Sequence, residues 1–118
     1  MRFRGIRGAT VVEADERVLI LEATKELLEA LVQDNDVAVD DIASIMFTMT
    51  PDLQSVYPAQ AARGLGWKHT PLLGATETDV PGGLPRCIRV LMHVNTDRAA
   101  AAIKHVYLRA AQTLRPEL

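Results

Sequence analysis

The residue with the clearest chemical character in this chain is Arg89, set in the apolar run Cys87-Ile88-Arg89-Val90-Leu91-Met92. With apolar neighbours at every other position, both faces of such a strand read as buried. A guanidinium cannot shed its proton, so a buried one needs an anion beside it. Glu77 and Asp79, on the preceding strand, are the natural partners for an internal ion pair, and on spacing alone that reading stands level with one in which the anion is a ligand and Glu77 shares its pocket. Arg7 raises the same question. By parity it shares a strand face with Phe3, Ala9 and Val11, and Gly5 and Gly8 beside it would leave room for a ligand. Pairing with an acidic helix is the competing explanation. Arg63 closes a short helix, where the helix dipole alone favours a cation. Tyr107 lies on an apolar segment and needs a hydroxyl partner if it is buried.

Other constellations are missing from the sequence. There is no phosphate-cradling glycine loop, no nucleophile elbow and no paired-histidine ligand spacing; His69, His93 and His105 are isolated. Cys87 has no adjacent base and sits among apolar residues, as an inert thiol would, and Trp67 reads as core. Several arginines, one glutamate and one tyrosine, without a nucleophile or metal set, suit electrostatic stabilisation of an anionic reactant better than covalent catalysis.

These residues must be positioned by a chain of 118 residues, one domain over 1–118 by size, with 48% apolar and only 4% aromatic residues, so that aliphatic side chains fill the core. The single cysteine excludes an internal disulfide, and no apolar stretch reaches the length of a membrane span. The Arg-rich start lacks the apolar run of a signal peptide, which points to a cytoplasmic protein. The net charge of −2 is uneven: Glu13 to Asp41 holds ten acids and two bases, the remainder eleven bases and five acids. The cationic surplus suits a small anion. The arginines are scattered singly with no aromatic platform, which argues against nucleic acid.

Alternation predicts a strand over 2–12. Asp15 is placed to cap a helix from about Glu16 to Asp34, whose Ile20, Leu21, Leu27, Leu28 and Leu31 form one apolar stripe opposite Glu22, Glu26 and Glu29. Further strands are expected over Ile42–Met49, Thr70–Thr78 and Cys87–Val94, with Pro81-Gly82-Gly83 as a turn. Pro58 suits the first turn of a short helix through Arg63, stopped by Gly64 or Gly66. The alanines of Asp97–Lys104 predict a helix; His105–Leu108 reads equally as its continuation or as a last strand. The order points to an α/β or α+β sheet domain.

Several segments match one family, in family order and across nearly the whole chain: Arg4-Gly5-Ile6-Arg7-Gly8-Ala9-Thr10, Thr50-Pro51-Asp52-Leu53, Tyr57-Pro58-Ala59, Ala62-Arg63, Asp79-Val80-Pro81-Gly82-Gly83-Leu84, Cys87-Ile88-Arg89-Val90, His105-Val106-Tyr107-Leu108 and Leu114-Arg115-Pro116. In these the chain resembles the monofunctional, trimeric chorismate mutases. The resemblance implies an α+β protein, a mixed β-sheet packed against one long helix, assembled as a homotrimer that forms a pseudo-α/β barrel with active sites at the subunit interfaces. It implies an isomerase of aromatic amino acid biosynthesis, converting chorismate to prephenate with no cofactor and no metal. Arg89 would hold the ether oxygen and a carboxylate, Arg7 and Tyr107 the side-chain carboxylate, and Glu77 the ring hydroxyl. Tyr57, Ala59, Gln60 and Arg63 would line the mouth from the neighbouring subunit. Leu73 and Gly74 would lie along the substrate, and Leu114 and Arg115 in a C-terminal segment over it. Gln60 stands where the family leads one to expect lysine, and Gly74 near a position often held by cysteine. In this light Glu77 reads as a ligand contact beside Arg89 rather than its dedicated counter-ion. Two other readings remain. A Rid-type imine or enamine deaminase would need glycine-rich signature segments that this sequence lacks. A non-catalytic trimer that senses an aromatic-pathway acid would suit Gln60 and Gly74.

Overall fold

The computed structural model describes residues 1–114. Five strands form one mixed sheet: β1 (Arg2–Val11), β2 (Ile42–Met49), β3 (Leu72–Thr76), β4 (Cys87–Thr96) and β5 (Val106–Tyr107), in the spatial order β3-β2-β4-β1-β5. The central strand β4 is antiparallel to both β1 and β2, while β3 and β5 pair in parallel at the two edges. The long helix α1 (Arg17–Asp34) covers one face, and a short helix α2 (Gln60–Gly64) packs against it.

The alternation of each strand decides which residues meet α1. Ile6 of β1, Ile45 and Phe47 of β2, and Val90, Met92 and Val94 of β4 point to the helix and are at most 3% exposed. They pack on the α1 stripe of Leu27, Leu28 and Leu31, joined by Trp67. Gly8 belongs to this face. A Cβ there would meet Leu27 Cδ1 at 3.0 Å and both Leu31 methyls at 3.3 Å, so its lack of a side chain lets α1 lie close to β1. The room beside Arg7 expected at Gly8 is therefore occupied by the helix.

Asp15 does not cap α1. The N-cap is Glu16, with no side-chain hydrogen bond, and the Asp15 carboxylate instead accepts from the Gln54 and Ser55 amides at 2.9 and 3.0 Å. It thereby ties the 50–57 loop to the entrance of the helix. Asp97–Lys104 is not a helix either, containing only a 3-10 turn at Ala100–Ala102. Here the buried Asn35 overrides alanine propensity: its amide nitrogen donates to Lys104 O at 2.9 Å and its oxygen accepts from Lys104 N at 2.7 Å. Held in that way, Lys104 leads into an extended segment, and β5 settles the choice at His105–Leu108 in favour of a strand. The third strand is shorter than expected, ending at Thr76. The turn after it has Gly82 at φ +81° and a 2.9 Å bond from Gly83 N to Val80 O, as a type II turn requires. No helix among the described residues is long and apolar enough to cross a membrane.

Candidate functional site

Residues of β4 alternate in environment. Ile88, Val90, Met92 and Val94 are buried, whereas Arg89, Leu91 and Asn95 are exposed. Arg89 thus projects from the face opposite α1, its side chain 48% exposed, and the expectation that both faces of this strand are buried is corrected. The apolar Leu91, 37% exposed, is what makes the run look buried on both sides.

The register places Thr48 of β2, Arg89 of β4, Ala9 of β1 and Tyr107 of β5 in one row across the sheet. Arg89 and Tyr107 are two strands apart, about 10 Å between backbones, and only the small Ala9 stands between them. Arg7, one alternation along β1, pairs with Leu91 in the next row of the same face. Its backbone N–H donates to His105 Nδ1 at 2.9 Å, and its Nε is buried with no hydrogen-bond partner among the described residues.

Arg89 Nε lies 3.4 Å from Glu77 Oε2, and the same oxygen accepts from the Thr48 hydroxyl at 2.8 Å. Glu77 follows β3, its amide continuing the ladder to Met49 O at 2.8 Å. The ion pair that spacing suggested is therefore present, with Thr48 fixing the carboxylate. Arg89 and Glu77 line a cavity of about 710 Å³, walled by Thr50–Asp52, the 78–85 loop, Cys87 and Leu114.

The loop wall is itself tied down. The Thr50 hydroxyl donates to Asp52 Oδ1 at 2.5 Å and accepts from Cys87 N at 2.9 Å, while the Asp52 carboxylate accepts from Arg86 N at 3.0 and 3.2 Å. Cys87 is buried beneath the site beside Ala9 and Ala111, and burial pushes its thiol up, a shift that Arg89 opposes. A thiol held protonated in this way is the inert group its apolar setting suggested.

The other sequence candidates lie elsewhere in the chain. Tyr107 packs beside the small cluster of Ala9, Cys87 and Ala111. Leu73 and Gly74 are exposed on the edge strand β3, away from the cavity wall. Tyr57, Ala59, Gln60 and Arg63 belong to the α2 segment and do not line it. Arg63 turns its guanidinium onto its own chain, donating to Trp67 O at 3.1 Å and Lys68 O at 3.0 Å, as a cation at a helix C-terminus does. Arg115 lies outside the described residues. Thr48 and the Thr50–Asp52 clamp escaped the sequence reading as site residues, although the parity of β2 places Thr48 on the face opposite Phe47. Among the described residues no group of histidines, cysteines and carboxylates is placed to hold a metal ion.

The arrangement offers fixed cations with unspent donors, one oriented carboxylate and a pocket sized for a small molecule. A family model described as chorismate mutase type I matches residues 3–118. The chain is 47% identical over 119 residues to chorismate mutase AroH of Bacillus subtilis (strain 168), covering all of this chain and 94% of that protein. It is 49% identical over 116 residues to chorismate mutase AroH of Thermus thermophilus, covering 98% and 95%. A solved chorismate mutase from Clostridium thermocellum superposes with a TM-score of 0.92 at 48% identity, over 93% of this chain and 98% of that one. By the match along its whole length, the chain belongs to the chorismate mutase type I family.

Proposed function

We propose that this chain, a chorismate mutase and hence an isomerase by family, converts chorismate to prephenate at the Arg89 cavity by electrostatic stabilisation and positioning alone. The observation that carries the reading is the open sheet face. There Arg89 stands half exposed beside Glu77, and Arg7 holds a buried Nε that nothing in the described chain satisfies. A buried donor without an acceptor is costly, and a dianionic substrate supplies one.

The reaction is a unimolecular Claisen rearrangement. As the C–O bond breaks ahead of C–C bond formation, negative charge grows on the ether oxygen. Arg89 at that oxygen stabilises the transition state more than the ground state, which is the condition for catalysis. Arg7 and Tyr107 hold the side-chain carboxylate, and Glu77, oriented by Thr48, accepts from the ring hydroxyl. Together these hold the compact, diaxial conformer in which the reacting carbons meet. A millionfold acceleration requires about 8 kcal/mol. No proton transfer, covalent adduct or cofactor is involved.

The active unit is a homotrimer, a pseudo-α/β barrel with its sites between subunits. Support comes from the sheet face away from α1, where Phe3 and Leu73 are each 61% exposed and lie with Met46 and Leu91 on an uncovered apolar surface. It comes also from the α2 segment, whose Tyr57 is 76% exposed and does not line its own chain's cavity. Supplied by a neighbour, Tyr57, Ala59, Gln60 and Arg63 line the mouth, with Leu73 and Gly74 along the substrate and Leu114 and Arg115 over it. Purified protein should consume chorismate, read as loss of its absorbance, and yield prephenate. Tight chorismate binding without prephenate would identify a sensor instead.

A further inference from the structure

The C-terminal wall of the cavity is held from outside by a residue with no place in the chemistry above. After β5, Leu108 N donates to Ala9 O at 2.9 Å, and the chain then reverses at Arg109, whose φ of +53° lies in the left-handed region disfavoured for arginine. From there the 3-10 segment Arg109–Leu114 runs back to the cavity, where Leu114 forms part of the wall. Its only fully buried side chain is the single methyl of Ala111, against Ala9 and Cys87. Leu114, partly buried, packs on the same small cluster, and so limited an apolar contact fixes a six-residue segment only in part.

The guanidinium of Arg109 supplies the rest, reaching two elements at once. Nη1 donates to the Thr10 hydroxyl at 3.2 Å and to Val11 O at 3.4 Å, both on β1, and Nη2 lies 3.2 Å from Glu26 Oε1 of α1. Thr10 is fully buried, so its hydroxyl is a fixed anchor. A strained backbone persists where its surroundings over-determine it, and this fork is what does so here.

We propose that Arg109 is a positioning residue for the substrate site, a clasp that fastens the 108–114 segment to β1 and α1 and so holds the Leu114 wall in place. The inference rests on the reading of the Arg89 cavity as the substrate site. Its effect falls on substrate holding, because Arg109 touches neither Arg89 nor Glu77 and the reacting shell stands without it.

Hydrogen exchange and steady-state kinetics on the intact protein test it together. Arg109→Ala should speed amide exchange in 108–114 while leaving β4 protected, and should raise KM about 3- to 10-fold with kcat within about twofold. Arg109→Lys, which keeps the charge near Glu26 but loses the fork, should fall between, and Glu26→Gln should raise KM about twofold. Arg109→Gly relieves the backbone and also lacks the fork, so it should match Arg109→Ala. Wild-type values in Arg109→Gly would assign the effect to strain and overturn the clasp. Unchanged exchange in Arg109→Ala would overturn it as well, and faster exchange with unchanged KM would overturn its link to the substrate. Were the wild-type protein to turn over no chorismate, the functional reading would fail, and exchange would still decide the clasp.

Discussion

At the scale of single residues the site is a matter of where charges are left unsatisfied. Arg89 meets Glu77 through Nε at 3.4 Å, a loose contact, and its side chain stays half exposed on the open face. Glu77 is steadied by Thr48 as well as by Arg89, so its orientation does not depend on the arginine alone. Thr48→Val keeps the shape of the side chain and removes the 2.8 Å bond. We expect turnover to drop about tenfold, as for loss of a hydrogen bond to a charged group, with the melting midpoint nearly unchanged. Full activity in that variant would mean that the Thr48 hydroxyl has no part in orienting Glu77. Part of this was legible beforehand: Glu77 as the neighbour of Arg89 and Cys87 as a buried thiol follow from residue type and context. The burial that made Arg89 look anomalous is not there, because Arg89 stands on the open face. Thr48 and the Asp52–Arg86 clamp were not legible, because they join segments 29 and 34 positions apart that only the folded sheet brings together.

The secondary-structure elements show where local pattern decides and where tertiary contact overrules it. β2 has the bounds its β-branched run predicts, and α1 buries Ile20, Leu27, Leu28 and Leu31 of the stripe read from its periodicity, with Leu21 partly buried. Two of the misread segments share one cause, a polar side chain serving a distant backbone. Asp15 holds the 54–55 amides rather than capping α1, and Asn35 holds Lys104 in an extended segment where alanines predict a helix. Gly8 was read as leaving room for a ligand, and that room is taken by α1. Since a Cβ there meets Leu27 at 3.0 Å, Gly8→Ala should force α1 outward, costing about 1–3 kcal/mol and lowering the melting midpoint by several degrees; an unchanged midpoint would show that the helix yields freely.

Asp15 makes a prediction in pH. The Gln54 amide, with further bonds from Ser55, holds its carboxyl below the usual carboxylate range despite some desolvation. A depressed folded-state value contributes stability above the unfolded pKa, near 4, and loses it as pH falls through the folded one. Asp15→Ala should therefore be less stable than wild type at neutral pH, with the gap narrowing below about pH 4. Denaturation midpoints measured across that range would show it. A gap that stayed constant to pH 2 would mean the carboxylate form makes no special bond.

The whole chain presents two faces of unequal character. The α1 side is closed over a continuous apolar core, while the opposite side leaves Phe3, Met46, Leu73 and Leu91 uncovered between the charged groups of the site. Parity arguments separate the two faces of any one strand, but only strand order reveals that these four side chains share a surface, which is why the sequence by itself was silent on the patch. Sedimentation of the wild type should report a trimer, and Met46→Glu, which buries a charge if that face is an interface, should dissociate it and abolish turnover together. An active monomer would contradict shared sites.

In the proposed mechanism Arg89 is the cation at the developing charge. Chorismate consumption by wild type and Arg89→Lys, compared at saturating substrate, tests this directly. Lysine keeps the positive charge but not the planar fork that serves Glu77 and the substrate at once, so kcat should fall by at least about a hundredfold while the folded state persists. Near-normal kcat in Arg89→Lys would contradict the assignment and move the catalytic cation elsewhere in the site.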